Sequence, residues 1–284
     1  MNLSTPLDQP SVTLDRSADA DTSAPRMVVS DMDGTLLNGN GRVSDRNAAA
    51  LRRAADAGAH VVIATGRPIW WLGPVIEAGF TGTAVCMNGA VVFDIAAGEI
   101  IGSYPLQPAP MKTFVDGLYS RTEDFSLAVE RFGSTDEACL AEHAYEHPWP
   151  EGTFTRVERS MLLAEPVAKL LVRGTGVSEE LAGHARFAAG DLVHVTYSTD
   201  DGLIEVAGPG VNKGSALARL AINWGVDPSS VVAFGDMPND LEMLAWAGRG
   251  VAMQNGHADV VAIADEIAEH HAADGVAKVL ERWF

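Results

Sequence analysis

A chain of 284 residues in which 47% are hydrophobic has enough apolar side chains for one large core or two smaller ones, which excludes disorder of the whole chain. The formal net charge of −18 argues against sequence-independent binding to nucleic acid or to anionic membranes, since both need a basic surface. The only cysteines, Cys86 and Cys139, lie far apart with no Cys or His at metal-ligand spacing, and they read as buried reduced thiols.

Met1 to Pro25 is rich in Ser, Thr, Asp and Pro, lacks apolar periodicity and reads as a flexible tail. It has neither the basic start nor the apolar core of a secretory signal, and no later run reaches membrane-span length, so a soluble cytoplasmic protein is expected. Met27 to Val29 predicts a short strand, Ser44 to Ala57 a helix and His60 to Ala64 a second strand. Between about Val91 and Thr199 the texture changes. Val91 to Asp94, Glu99 to Tyr104, Phe125 to Val129, Val167 to Val172 and Leu192 to Tyr197 read as strands or hairpins, Pro110 to Arg121 and Ser178 to Ala189 as helices, and Glu142 to Glu151 as loop. The first pattern then returns, with Gly214 to Asn223 as a helix, Val231 to Phe234 as a strand and Leu241 to Ala247 as a helix. The expected architecture is α/β, a Rossmann-like parallel sheet core covered by helices (26–90 and 200–284) with an inserted α+β cap domain (91–199). In such sheets ligands sit at the carboxyl ends of the strands.

Several polar motifs fall at those ends. Asp31-Met32-Asp33-Gly34-Thr35 follows the first strand, and its carboxylates fit a nucleophile and an acid/base that reach one substrate across a tight turn. Ordinary turn chemistry is the plain alternative. A calcium loop fails, because it would put Leu36 where glycine is needed and Arg42 where a bidentate Glu belongs. Thr65-Gly66-Arg67 follows the second strand. Thr65 can cap a following helix, whose first N–H groups can hold phosphate oxygens while the hydroxyl donates another bond. Lys213, in Asn212-Lys213-Gly214, opens a helix and so faces the positive end of its dipole, an unfavourable place unless an anion is close. Gly235-Asp236-Met237-Pro238-Asn239-Asp240 brings two more carboxylates to a strand end, where a helix cap is the plain alternative. If Asp31, Asp33, Asp236 and Asp240 converge, their repulsion calls for a hard divalent cation, with Mg2+ the natural choice.

In this order the motifs resemble the haloacid-dehalogenase-like (HAD) phosphohydrolase superfamily over nearly all of the chain. The large insertion, with Met87-Asn88-Gly89-Ala90 before it and Asp274-Gly275-Val276-Ala277 near the end, is similar to the Cof-like sugar-phosphatase branch. The resemblance implies Asp31 as nucleophile, Asp33 as acid/base, Thr65 as phosphate-binding hydroxyl and Lys213 as charge-neutralising lysine. Gly34, Gly66 and Arg67 would join Asp31, Thr65 and Lys213 around the phosphate. Asp31, the backbone carbonyl of Asp33, and Asp236 would hold Mg2+, supported by Asn239, Asp240 and Asn88. The implied reaction is Mg2+-dependent hydrolysis of a small phosphorylated metabolite, a sugar phosphate or phosphorylated cofactor, through an aspartyl-phosphate. A phosphomutase needs the same nucleophile. A phosphorelay receiver also phosphorylates an Asp, but has no use for an acid/base such as Asp33. In the insertion, Glu130, Arg131, His143, His147 and Trp149 read as surface or packing residues, and Trp70 and Trp71 as helix packing. His270-His271 has no metal-ligand partner at useful spacing, and no oligomeric state follows from the sequence.

Overall fold

The computed structural model describes residues 23–133, 139–147 and 154–284, so the expected tail falls outside it up to residue 22, as does Trp149. In chain order the strands are β1 (Met27–Ser30), β2 (His60–Ala64), β3 (Thr83–Cys86), β4 (Val91–Asp94) and β5 (Glu99–Ser103). Next come β6 (Phe125–Glu130), β7 (Cys139–Ala141), β8 (Thr155–Arg156), β9 (Lys169–Gly174), β10 (His194–Thr196) and β11 (Leu203–Ala207). The last three are β12 (Val231–Gly235), β13 (Arg249–Met253) and β14 (Glu266–Ala268). They form two sheets, one ordered β14-β13-β12-β1-β2-β3-β4-β5 and the other β10-β11-β9-β6-β7-β8.

β1 lies near the middle of the first sheet, parallel to β12 and β2, with Val28 opposite Val232 and Val61. Met27, Val28 and Val29 are fully buried, Val28 in the core on one face and Met27 and Val29 in the core on the other. Burial on both faces explains why this strand is a continuous apolar run without polar alternation. The helix Asp45–Asp56 starts at Ser44, whose hydroxyl accepts from Asn47 N, and buries Ala50, Leu51 and Ala54 against the sheet. The helix Lys213–Trp224 starts in a capping box of Asn212 and Ser215 and stops at Gly225, at φ 62°.

Sheet membership differs from the expected boundaries at both junctions. β4 and β5, expected in the insertion, extend the first sheet, because Met87, Asn88 and Gly89 at φ 51°, 54° and 100° reverse the chain and send β4 back antiparallel to β3. β11, a strand not predicted, falls in the segment expected to belong to the core, but pairs antiparallel with β9 and β10 in the second sheet. The hydrophobic core of the second body accordingly runs from Leu106 to Val206 and includes the helices Pro108–Tyr119 and Ser178–Ala189. The two crossings between the bodies run side by side, so that a Cβ on Gly208 would meet Pro105 O at 3.2 Å. Cys86 and Cys139 are buried and outside any disulfide. No helix among the described residues is long and apolar enough to cross a membrane.

Candidate active site

Asp31 directly follows β1 and continues its ladder, with its N–H donating to Phe234 O at 3.0 Å, so the carboxylate is anchored between the ends of β1 and β12. The chain then turns at Gly34, φ 73°. A Cβ there would lie 2.2 Å from Asp236 Oδ2. Gly34, expected at the phosphate, is thus demanded by the turn and by the close approach of Asp236. Asn255 Nδ2 holds its carbonyl at 2.7 Å, and the Thr35 hydroxyl donates to Asp236 Oδ1 at 2.8 Å. Gly34→Ala is expected to lower stability by about 2–5 kcal/mol, summing left-handed strain and overpacking, and an unchanged urea midpoint would contradict this account.

Lys213 is completely buried, and its Nζ donates to Asp31 Oδ1 at 2.5 Å and to Asp240 Oδ1 at 2.7 Å. Two carboxylates therefore supply the anion that its place at a helix start requires. Burial alone would lower the lysine pKa, but Asp240 and Asp31 outweigh it and hold the group well above its ordinary value. Asp240 Oδ2 accepts from the N–H groups of Asp236 and Met237, so both oxygens of Asp240 are engaged within the protein.

The remaining carboxylates are under electrostatic pressure. Burial pushes Asp31 well above the usual carboxylate range; Lys213 opposes this, while Asp240, Asp236 and Asp33 add to it. Asp236 is pushed up to about 7 by burial and then by Asp240, against the Thr35 hydroxyl and Lys213. One oxygen each from Asp31, Asp236 and Asp240 lie within 4.8 Å of one another. An all-oxygen, negatively crowded donor set fits a hard divalent cation, whose charge relieves this crowding. Of the three, Asp240 is the most engaged within the protein, while Asp31 and Asp236 have one oxygen each in a side-chain bond, to Lys213 and Thr35.

The structure brings Asp33 and Arg67 together in a pairing not anticipated from sequence. Arg67, expected at the phosphate, forks the exposed Asp33 carboxylate, Nε to Oδ2 at 2.7 Å and Nη2 to Oδ1 at 2.6 Å. Both residues line a cavity of about 550 Å³ with Asp31, Trp71 and Asn239. Trp71, expected only in packing, thus also forms cavity wall. Thr65 is buried and its Oγ1 accepts from Arg67 N at 3.0 Å, which leaves its hydroxyl proton available. No long helix begins there: Pro68 leads into a 3-10 turn at Ile69–Trp71 and a five-residue helix at Gly73–Glu77, so the expected helix start is absent. Asn88 N donates to Thr65 O, and Asn239 Nδ2 donates to Asn88 Oδ1 at 3.1 Å, tying three loops together.

Gly66 marks the contact between the two bodies, its carbonyl accepting from Lys169 Nζ of β9 at 2.8 Å. Sequence reasoning missed Lys169 and Glu205 and read Glu130 as surface or packing, yet all three are buried and line the same cavity. The available signal was a lone charge inside an apolar strand, as in Ala168-Lys169-Leu170 and Ile204-Glu205-Val206. Thr35 and Asn255 were also missed, although Asn255-Gly256 is a turn signal after a strand. The Asp274-Gly275-Val276-Ala277 segment is bracing: Asp274 accepts from the Ser44 hydroxyl, and Ala277 N donates to Asn47, which in turn holds Leu36 O.

Among solved structures, a haloacid dehalogenase-like hydrolase from Bacteroides thetaiotaomicron is similar with a TM-score of 0.71 and 25% identity, covering 92% of this chain and 100% of that one. Among curated proteins, the 5-amino-6-(5-phospho-D-ribitylamino)uracil phosphatase YcsE of Bacillus subtilis is 29% identical over 259 residues, 91% of this chain and 95% of the relative. The chloroplastic endoribonuclease YBEY of Arabidopsis thaliana is 30% identical over 275 residues, 89% of this chain and 45% of the relative, so the chain spans about half of that protein's length. The family model for haloacid dehalogenase-like hydrolases matches residues 28–280, and the chain belongs to that family.

Proposed function

We propose that this hydrolase is a Mg2+-dependent phosphatase of small phosphomonoesters, with Asp31 as nucleophile and Asp33 as acid/base. The observation that carries the proposal is Asp31 itself, fixed at a central strand end, 2.5 Å from a buried lysine and lining the cavity. A carboxylate so restrained is positioned to attack the phosphorus of an ester in that cavity, forming an aspartyl-phosphate as the bond to the leaving oxygen breaks. Asp33, which takes up a proton from solvent as its fork to Arg67 opens, gives that proton to the leaving oxygen and then takes one from the water that hydrolyses the intermediate, releasing phosphate and restoring Asp31. Its bond to Arg67 holds it at the cavity until one oxygen turns to the substrate.

Lys213 balances the charge of Asp31 and has a third N–H for a phosphoryl oxygen, and the free hydroxyl proton of Thr65 supplies another donor. Gly66 allows close backbone approach. Asp31, Asp236 and the carbonyl of Asp33 are the groups proposed to hold Mg2+, with Asp240, Asn239 and Asn88 fixing the loops behind them. When bound, the ion supplies positive charge to the transferring phosphoryl group. The phosphatase name of the Bacillus subtilis relative, which spans the same length, supports a small phosphorylated metabolite as substrate.

Phosphate release measured over a panel of phosphomonoesters tests the proposal, and no release from any of them in the presence of Mg2+ overturns it. Interconversion of isomers without net release would instead identify a phosphomutase. Excess chelator is expected to abolish turnover, and persistence of the full rate would remove the metal from the scheme. Mg2+ should also raise the melting temperature, since a ligand at one hundred times its Kd adds about 2.7 kcal/mol to the folded state.

A further inference from the structure

Three strands of the second sheet deliver three charged side chains to one wall of the cavity. Glu130 of β6 is in register with Lys169 of β9, and Glu205 of β11 stands opposite Leu171, two residues along the same face. Glu130 and Lys169 are 3% exposed and Glu205 is 4% exposed. Lys169 Nζ donates to Glu205 Oε1 at 2.6 Å and to Gly66 O at 2.8 Å, and it lies 3.2 Å from Glu130 Oε2 without hydrogen-bond geometry. Lys169 is thus the ion-pair partner of both carboxylates, and the side chains of Asn88 and Ser198 also hydrogen-bond Glu205. Two carboxylates share one ammonium here, so this wall holds more accepting capacity than Lys169 alone satisfies, and a hydrogen-bond donor presented from the cavity fits it.

Charge narrows the choice of donor. The three side chains carry a net negative charge when ionised: Glu130 and Glu205 outweigh burial to hold Lys169 above its ordinary value, Lys169 outweighs burial to hold Glu205 below its own, and burial raises Glu130 against the pull of Lys169. The cations lining the cavity, Arg67 and Lys169, are both already paired, to Asp33 and to Glu205. Among the described residues lining the cavity, an anionic group brought to this wall would meet carboxylate oxygens and only cations already paired. Ser198 and Thr199 also line the cavity, together with Leu171, Leu203 and Met237.

We propose that Glu130 and Glu205 form an acceptor subsite for the leaving group, taking alcohols that carry hydroxyl or amino donors and turning away alcohols that carry an anionic group. The proposal rests on the phosphatase function, because it concerns the alcohol released. A phosphate at Asp31 would extend its alcohol across the cavity to the second sheet, where the Glu130 and Glu205 carboxylates accept its hydrogen bonds. Selectivity then comes from the second body, while the reacting groups belong to the first.

Three esters of matched size separate the outcomes: glucosamine 6-phosphate, glucose 6-phosphate and 6-phosphogluconate, with p-nitrophenyl phosphate as an ester lacking donors. Wild-type kcat/KM is expected to be about tenfold or more higher on the first two than on 6-phosphogluconate. A preference for the amino sugar supports an ammonium as the donor, and a preference for glucose 6-phosphate supports a hydroxyl. Glu130→Gln should narrow the ratio of glucose 6-phosphate to 6-phosphogluconate to about threefold or less, by removing the repulsion at the wall. Equal wild-type values on the three sugar esters would overturn the subsite even if Glu130→Gln failed to fold. A folded Glu130→Gln protein with the wild-type ratio would overturn it as well. Absence of release from every ester, p-nitrophenyl phosphate included, would instead overturn the phosphatase function.

Discussion

Asp31→Asn protein is expected to release phosphate at least about a thousandfold more slowly than wild type, in line with losses seen when a covalent nucleophile is removed. The amide has the shape of the carboxylate and its oxygen can still accept from Lys213 Nζ, so the turn at Gly34 and the anchoring at Phe234 are retained. Folding should not suffer. Asp31 is buried beside Asp236 and Asp240, and removal of one negative charge from that group relieves repulsion. Without Mg2+ the melting temperature of the variant should therefore equal or exceed that of wild type. Wild-type turnover in the variant would remove Asp31 from the chemistry, and a large fall in melting temperature would show that the carboxylate is structural.

Lys213→Met should do the reverse for stability. Methionine nearly fills the volume but leaves Asp31 and Asp240 buried without their shared cation, and breaking a buried ion pair from one side costs about 3–5 kcal/mol. Urea unfolding without Mg2+ reads this directly. Added Mg2+ should recover part of the loss, because a cation at Asp31 and Asp236 restores some of the missing positive charge. The rate should fall by about a hundredfold or more even where the protein is folded, as the phosphoryl oxygens lose a donor. Lys213→Arg is not expected to rescue, since the larger planar guanidinium does not fit a pocket closed around an ammonium. A wild-type urea midpoint for Lys213→Met would contradict the ion-pair account.

The parts of the fold that were legible in sequence are those fixed by local chemistry. Met27 to Val29 announces a central strand because both of its faces are buried, and the helix Ser178–Ala189 follows from an uninterrupted apolar stripe. The four polar motifs were legible because acids, a lysine and glycines at strand ends have few ordinary explanations. What was illegible depends on tertiary pairing. The reversal through Met87, Asn88 and Gly89 carries the turn signal Asn88-Gly89, but a turn signal does not say which sheet the returning strand joins, and here β4 and β5 join the first. β11 is not among the predicted strands, and its place in the second sheet is fixed by pairing with β9, where Glu205 meets Lys169, 36 positions earlier. The Arg67–Asp33 fork similarly requires β1 and β2 to be neighbours before the two side chains can meet.

The side-by-side crossings at Pro105 and Gly208 have a consequence for inheritance. A segment whose two ends emerge together can be lengthened, shortened or replaced while the fold that carries it still closes, because loop-closure entropy grows only slowly with length. The second body is attached in that way, and all of Asp31, Thr65, Lys213 and Asp236 belong to the first. Recombination at these two points can therefore exchange the second body as a module, leaving the strand ends that carry Asp31, Thr65, Lys213 and Asp236 in place.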